Sequence, residues 1–299
     1  MTYTAGSDIL ASDYNTFRGN VNSVWNSLWG QSGLGSVSAG GTVTATQWAT
    51  LASTITNAYI HESGVNPSVT SPSAGNNIAI IANLATAVSY IQANPYNCYA
   101  SGATTSTSSE VGAKGSGSAA WSITWTQTVS FGNTNQRTYY FNAGGRIFLT
   151  FTKTSTGQLM DPTWNALAAA CNQISFTSTS TSKVIAGVTY QGTNKQGGSG
   201  TATTIATNIG YAQLTGSNQL IFLQYYPSAP YTDSYIAVYA LITGTSVQFQ
   251  TVWNQPANNQ PYEPVNISAG SNTTLNQYPP ETTYISNTWS TVSLSTSVS

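Results

Sequence analysis

Trp121-Ser122-Ile123-Thr124-Trp125-Thr126-Gln127-Thr128-Val129-Ser130-Phe131 sets a large or apolar side chain at every second position and Ser or Thr between them. A period of two is the signature of a strand with one buried face. Downstream the same signal recurs in short runs separated by Gly, Asn, Asp and Pro: Thr138–Asn142, Arg146–Thr152, Ile174–Thr179, Val184–Tyr190, Thr203–Tyr211, Gln219–Tyr226, Tyr235–Ile242 and Ser246–Trp253. So many short strands predict a sandwich or a pair of packed sheets. One helix interrupts them over 161–173, where Asp161-Pro162 offers an N-cap followed by proline at the first helical position.

Upstream the period changes. Leu10, Tyr14, Phe17, Val21, Val24 and Leu28 step by four and three residues, which puts all six on one helical stripe, with Ser7 or Asp8 to cap it and Gly30 to end it. Thr44-Ala45-Thr46-Gln47 fits a capping box for a second helix with Trp48, Leu51, Ile55 and Tyr59 on one face. A third run, Ile81, Leu84, Val88 and Ile91, is stopped by Asn94-Pro95. The predicted class is therefore α+β: a small N-terminal helical bundle (1–97), a Ser/Thr/Gly-rich linker or loop (98–118), a β-rich sandwich-like domain (119–255) and an extended C-terminal tail (256–299). The tail carries Pro256, Pro261, Pro264, Pro279 and Pro280 and is expected to have little core of its own.

Only 5% of the 299 residues are charged while 40% are apolar, and seven basic against eight acidic residues leave a net charge of −1. No electrostatic footprint gathers phosphates, so nucleic acid is not an expected partner. Weak colloidal repulsion favours association instead. Eight Trp, eighteen Tyr and eight Phe set the chain apart from disordered polar sequences. The first residues form no signal peptide and no stretch reads as a membrane span, so neither classical secretion nor membrane insertion is expected.

The search for chemistry returns little. His61 is the only histidine and reads as a surface or helix-end residue, since Glu62 beside it faces elsewhere on a helix. Cys98 and Cys171 read as buried or inert thiols. Gly30–Gly35 and Gly197–Gly200 lack phosphate-loop and dinucleotide spacing and read as turns. No metal, cofactor or catalytic residue is implied. Glycoside hydrolysis needs only two carboxyl groups, for which Asp161, Asp233, Glu263 and Glu281 are the acids of the β-rich part and tail; Asp161 is expected to cap a helix and Asp233 to sit in a turn. Tyr225, Tyr226, Tyr231, Tyr235 and Tyr239 cluster in sequence and could stack on sugar rings or anchor an interface, although strands also use Tyr for ordinary packing.

Two stretches carry a resemblance. Asp8-Ile9-Leu10-Ala11-Ser12-Asp13-Tyr14-Asn15, with Val43-Thr44-Ala45-Thr46-Gln47-Trp48 and Leu51, resembles the N-terminal region of virion structural proteins of tailed bacteriophages, especially contractile-tailed and cyanophage-like ones. Tyr140-Phe141-Asn142-Ala143-Gly144-Gly145-Arg146-Ile147 resembles a strand–turn–strand signature of the same proteins. The resemblance implies a particle component without fixing its place on head, neck, tail or baseplate. The leading expectation is a non-enzymatic structural subunit, tail-associated (fibre, baseplate or neck), made in the host cytoplasm, whose partners are copies of itself and other virion proteins. A receptor- or glycan-binding adhesin and a particle-bound polysaccharide hydrolase are the alternatives. Expected assembly contacts are Leu10, Tyr14, Phe17, Val21, Arg146, Tyr262, Tyr278 and Trp289; Arg146 is read either as a solvated strand-end charge or as half of a pair across subunits. Tyr225, Tyr226, Tyr231 and Tyr235 are the candidate glycan or partner aromatics.

Overall fold

The computed structural model describes residues 10–69, 81–257 and 264–299. The expected caps Ser7 and Asp8, with Ile9 of the first resemblance motif, Tyr262 and Glu263 lie outside them. The fold is mixed α+β.

Helix α1 spans Ala11–Trp25 and begins where the Asp13 carboxylate accepts from the Leu10 amide (3.2 Å). Its stripe is buried from Tyr14 to Val24, whereas Leu10 stands outside it at 61% exposure. Helix α2, Ala45–Ser63, starts with the expected reciprocal box: the Gln47 amide donates to Thr44 Oγ1 (3.2 Å) and the Thr44 amide to Gln47 Oε1 (2.9 Å). It ends at Gly64, whose φ of 73° is left-handed. Helix α3, Ile81–Ala93, stops ahead of Pro95. Trp48 of α2 packs against Tyr14 and Phe17 of α1, and Tyr59 of α2 against Tyr90 of α3.

Strand β1 is Thr105–Val111, drawn from the segment read as a linker or loop, and β2 is Trp121–Ser130. On β2, Trp121, Ile123, Trp125, Gln127 and Val129 are buried, as the alternation predicts. The next segment departs from the reading. Thr138–Asn142 was expected as a strand, but Thr134–Asn142 forms helix α4, with the Asn133 side chain accepting from the Gln136 amide. Tyr140 and Phe141 are both fully buried and adjacent in sequence. A half-buried strand would turn one of them outward, whereas this short helix is covered on most sides and its Tyr-Tyr-Phe β-propensity is overridden.

After α4 follow β3 (Arg146–Lys153), helix α5 (Asp161–Cys171), β4 (Gln173–Phe176), β5 (Lys183–Ile185), β6 (Val188–Tyr190), β7 (Thr193–Gln196) and β8 (Thr204–Ile205). The expected single strand Val184–Tyr190 is a hairpin, because Ala186 and Gly187 take φ of 50° and 77° and reverse the chain. Only two residues of the expected strand Thr203–Tyr211 are extended; it leads into a 3₁₀ turn at Tyr211–Gln213. The chain closes with β9 (Gln219–Tyr225), β10 (Tyr235–Thr243), β11 (Ser246–Gln255), β12 (Ser271–Tyr278) and β13 (Ser293–Val298).

One antiparallel sheet has the order β1-β12-β3-β4-β7, the other β13-β2-β11-β10-β9-β8. They face each other: Phe151 of β3 stacks on Phe222 of β9, Phe176 of β4 meets Phe249 of β11, and Gln127 of β2 donates to the Thr273 carbonyl of β12 (2.9 Å). The segment 256–299, read as a tail with little core, thus supplies a strand inside one sheet and the edge of the other. Val265, Ile267, Leu275, Ile285 and Trp289 are buried; Leu275 lies in Ser271–Tyr278, where alternation turns every second residue inward. Buried apolar residues of the helices and both sheets form one continuous cluster.

Gly144 and Gly145 make the turn from α4 to β3. Gly144 has φ of 101°, and a Cβ on Gly145 would lie 2.5 Å from the Tyr140 carbonyl oxygen. Gly145→Ala is expected to destabilise the fold by about 1–3 kcal/mol through overpacking, read as a lower urea midpoint at unchanged slope.

Candidate functional site

Of the expected assembly contacts, Tyr14, Phe17, Val21 and Trp289 are spent inside the molecule, each buried in its core. Leu10 is exposed and Tyr278 is half-buried. The expected aromatics divide: Tyr225 is exposed at 38% and meets Tyr235 edge-on (5.3 Å) as its directly opposed partner on β10, while Tyr226 and Tyr231 are half-buried.

Arg146 overturns its solvated reading. It is 6% exposed, and its guanidinium lies over three rings, Tyr190 (5.3 Å), Tyr278 (5.4 Å) and Phe148 (5.7 Å). The geometry follows from the strands. Ile147, Leu149 and Phe151 of β3 point into the sandwich, so Arg146 and Phe148 point out of it. Tyr278 is the residue opposite Arg146 on β12, and the β5–β6 hairpin folds Tyr190 over this outer face. Cys98, Phe148, Ile185 and Tyr190 form a buried cluster here, separate from the main core. Sequence reasoning missed Phe148, Tyr190 and Cys98; the i, i+2 spacing of Arg146 and Phe148 was the one available signal.

The other buried cations are answered, and so is Asp161. Lys153 pairs with Asp161 (3.0 Å), both side chains fully covered, and donates to the carbonyls of Ser155 and Ala269. Asp161 is the first residue of α5, so its carboxylate does not take the expected N-cap position. Burial works against its charge, but hydrogen bonds from the Gln158 and Ser268 amides and from Lys153 outweigh that and hold its pKa below the ordinary value. Arg137 donates to Tyr211 and to the carbonyls of Gly244 and Ser246. Lys183 reaches Thr177 Oγ1 and the Thr179 carbonyl, and burial lowers its pKa to about 8. Asp233 is exposed in a turn, and the Glu281 carboxylate is held down chiefly by the Thr283 hydroxyl.

His61 lies in the last turn of α2 but is fully buried, not at the surface. Its Nε2 is 3.0 Å from the Ala143 carbonyl and therefore donates, which leaves Nδ1 as a bare acceptor without a partner. Burial drives its pKa down to about 4. Neighbouring Glu62 is buried with both carboxyl oxygens unpartnered, and burial raises its pKa well above the ordinary range. Cys98 and Cys171 are free, buried thiols, pushed up by burial, Cys171 to about 12. Among the described residues no group of three or more His, Cys, Asp or Glu could hold a metal ion, and no helix is long and apolar enough to cross a membrane.

Against known proteins, the chain matches no family model, no curated protein and no solved structure.

Two stability predictions follow from these buried groups. Asp161→Asn leaves Lys153 buried without its anion and is expected to cost about 3–5 kcal/mol by chemical denaturation. The pH response carries opposite signs at the adjacent pair. His61 is neutral in the fold and protonates more readily when unfolded, so its contribution is intact above pH 6.5 and is lost, by about 3 kcal/mol, as pH falls towards 4. Glu62 binds its proton more tightly in the fold, so its contribution is intact below 4.5 and is lost as pH rises. Glu62→Gln should therefore stabilise the protein at pH 7, with the gain shrinking as the pH approaches 4.5.

Proposed function

We propose that this chain is a non-enzymatic structural subunit of a bacteriophage particle, tail-associated, which works by assembling with copies of itself and with neighbouring virion proteins. One observation carries the assembly part of this reading. Glu62, Arg137, Arg146, Lys153, Asp161 and Lys183 are buried, so no more than nine of the fifteen formal charges remain for the whole surface. Such a surface offers little electrostatic resistance to contact. The particle assignment rests on the resemblance of the two N-terminal stretches and of residues 140–147; no nucleic-acid or membrane partner belongs to it.

The two sheet edges support this reading as surfaces for such contact. β1 and β13 end their respective sheets and lie side by side, Thr107 Oγ1 3.0 Å from Thr296 Oγ1. Glu110 is the only charge in either strand. Edge strands of monomeric proteins are usually blunted by Lys, Pro or bulges, and an unblunted edge offers its unpaired amides and carbonyls to another chain. The subunit is expected to sediment as a defined oligomer. Ser295→Lys, at an exposed position of β13, should weaken association at unchanged thermal stability. A monomeric wild type at micromolar concentration would refute the reading.

A second reading, a glycan-binding adhesin, is favoured by the Tyr225–Tyr235 pair, two rings in contact with Tyr225 open to solvent. Tyr225→Ala should then lower retention on host-cell glycans at least tenfold without changing stability, measured by glycan-array binding.

A further inference from the structure

Arg146 is a buried cation for which the described residues provide no anion and no hydrogen-bond acceptor. Its Nε and Nη1 are sealed from solvent without a partner, whereas Arg137, Lys153 and Lys183 each have theirs. A charge left in this state is strongly unfavourable unless something compensates it. The three rings around it do so only in part: their faces attract the cation, but they offer no oxygen to the in-plane N–H groups. Nη2 is not among those sealed, unpartnered nitrogens, and the proposed ligand is placed there. Because a guanidinium charge is delocalised over its three nitrogens, an anion at Nη2 answers the whole cation.

We propose that Arg146 with Tyr190 and Tyr278 forms a binding site for a single carboxylate, independent of the particle role. The charge to be matched is one, which suits a carboxylate better than a dianionic phosphate, and a carboxylate oxygen accepts a charge-assisted hydrogen bond from Nη2. The surroundings point to a carboxylate carried on a hydroxyl-rich molecule. Along the same outer face, beyond Phe148, Asn276 donates to Thr150 Oγ1 and Gln173 donates to the same hydroxyl, a row of small polar groups next to a ring-lined cation. Rings that flank a sugar and amides that bond its hydroxyls are the usual elements of such recognition. Tyr190 already registers both neighbours: burial raises its pKa, the Arg146 charge lowers it and Tyr278 raises it.

The test uses the full chain at constant ionic strength, replacing sodium chloride with sodium glucuronate in one arm and sodium acetate in the other. Thermal unfolding of the wild type should rise by about 2–4 °C once glucuronate exceeds its dissociation constant several-fold. The Nε–Hε resonance of Arg146, one of three arginines, should shift in the same titration, a readout on the wild type that needs no variant to fold. Arg146→Met should abolish the thermal response. Equal responses to both carboxylates mean that the site reads the carboxylate alone; a response confined to glucuronate means that it also reads the sugar ring. No shift of the Arg146 resonance and no thermal response in either arm would assign the orphan N–H groups to buried water and overturn the proposal.

Discussion

Four tryptophans hold the two sheets and their covering helix in one arrangement. Trp125 of β2 meets Trp253 of β11 at 5.3 Å, Trp253 stacks on Trp164 of α5 with ring planes 7° apart, and Trp164 meets Trp121 of β2 at 5.1 Å. Each buries a large apolar area, and three of them also direct an indole N–H at a fixed acceptor: Trp121 to the Val265 carbonyl (2.6 Å), Trp125 to the Ser109 carbonyl (2.8 Å) and Trp164 to Gln255 Oε1 (3.2 Å). Those acceptors lie in β11, in β1 and just before β12. The aromatic contacts thus fasten β2, β11 and α5, and the N–H groups draw in the elements on either side. Trp253 is the exception, with its N–H buried and unpartnered.

Scarcity of charge shapes the remaining polar interior. In place of salt-bridge networks, the fold buries amides and hydroxyls against backbone: Gln127 to Thr273, Thr177 to Gly192, Thr193 to Ile209. Lys153–Asp161 is the one ion pair among the described residues, and four further hydrogen bonds to backbone groups surround it. Neutral hydrogen bonds of this kind contribute modestly on formation but cost more when left unmade. They therefore define register and partner as much as they stabilise. The surface left behind is sparsely charged for the same compositional reason, which connects the interior of this fold to its proposed mode of association.

Periodicity made legible what is governed by local burial on one face. The β2 alternation, the capping box at Thr44 and the stripe from Tyr14 to Val24 stand in the structure as the sequence implied. It failed where a segment is covered on several sides, as in α4, and where strands are Ser/Thr-rich and partnered far away in sequence. β1 reads as a linker because Thr-Ser-Thr-Ser-Ser has no apolar face, yet its partner β12 begins 160 residues beyond the end of β1. The Arg146 cluster was hidden for the same reason. Its rings arrive from β12 and from a hairpin, and nothing within β3 announces them.

Trp29 shows how the helices and the β layers are made interdependent. Fully buried in the turn that follows α1, it donates to the Pro95 carbonyl (3.0 Å), sets its ring against His61 of α2 (4.8 Å) and accepts at its own carbonyl from Thr288 (2.6 Å). Two residues on, Gln31 exchanges a pair of hydrogen bonds with Ser286, 255 residues away. His61 in turn donates to Ala143, immediately after α4. Residues near both ends of the chain therefore close over one indole, and the buried His61 and Glu62 occupy the same junction. Loop closure over such separations is entropically costly and is repaid only when these contacts form together, so the junction is expected to assemble late in folding. It also concentrates the unpartnered polar atoms His61 Nδ1 and Glu62 Oε1 and Oε2, which makes this junction a place where pH acts on the fold.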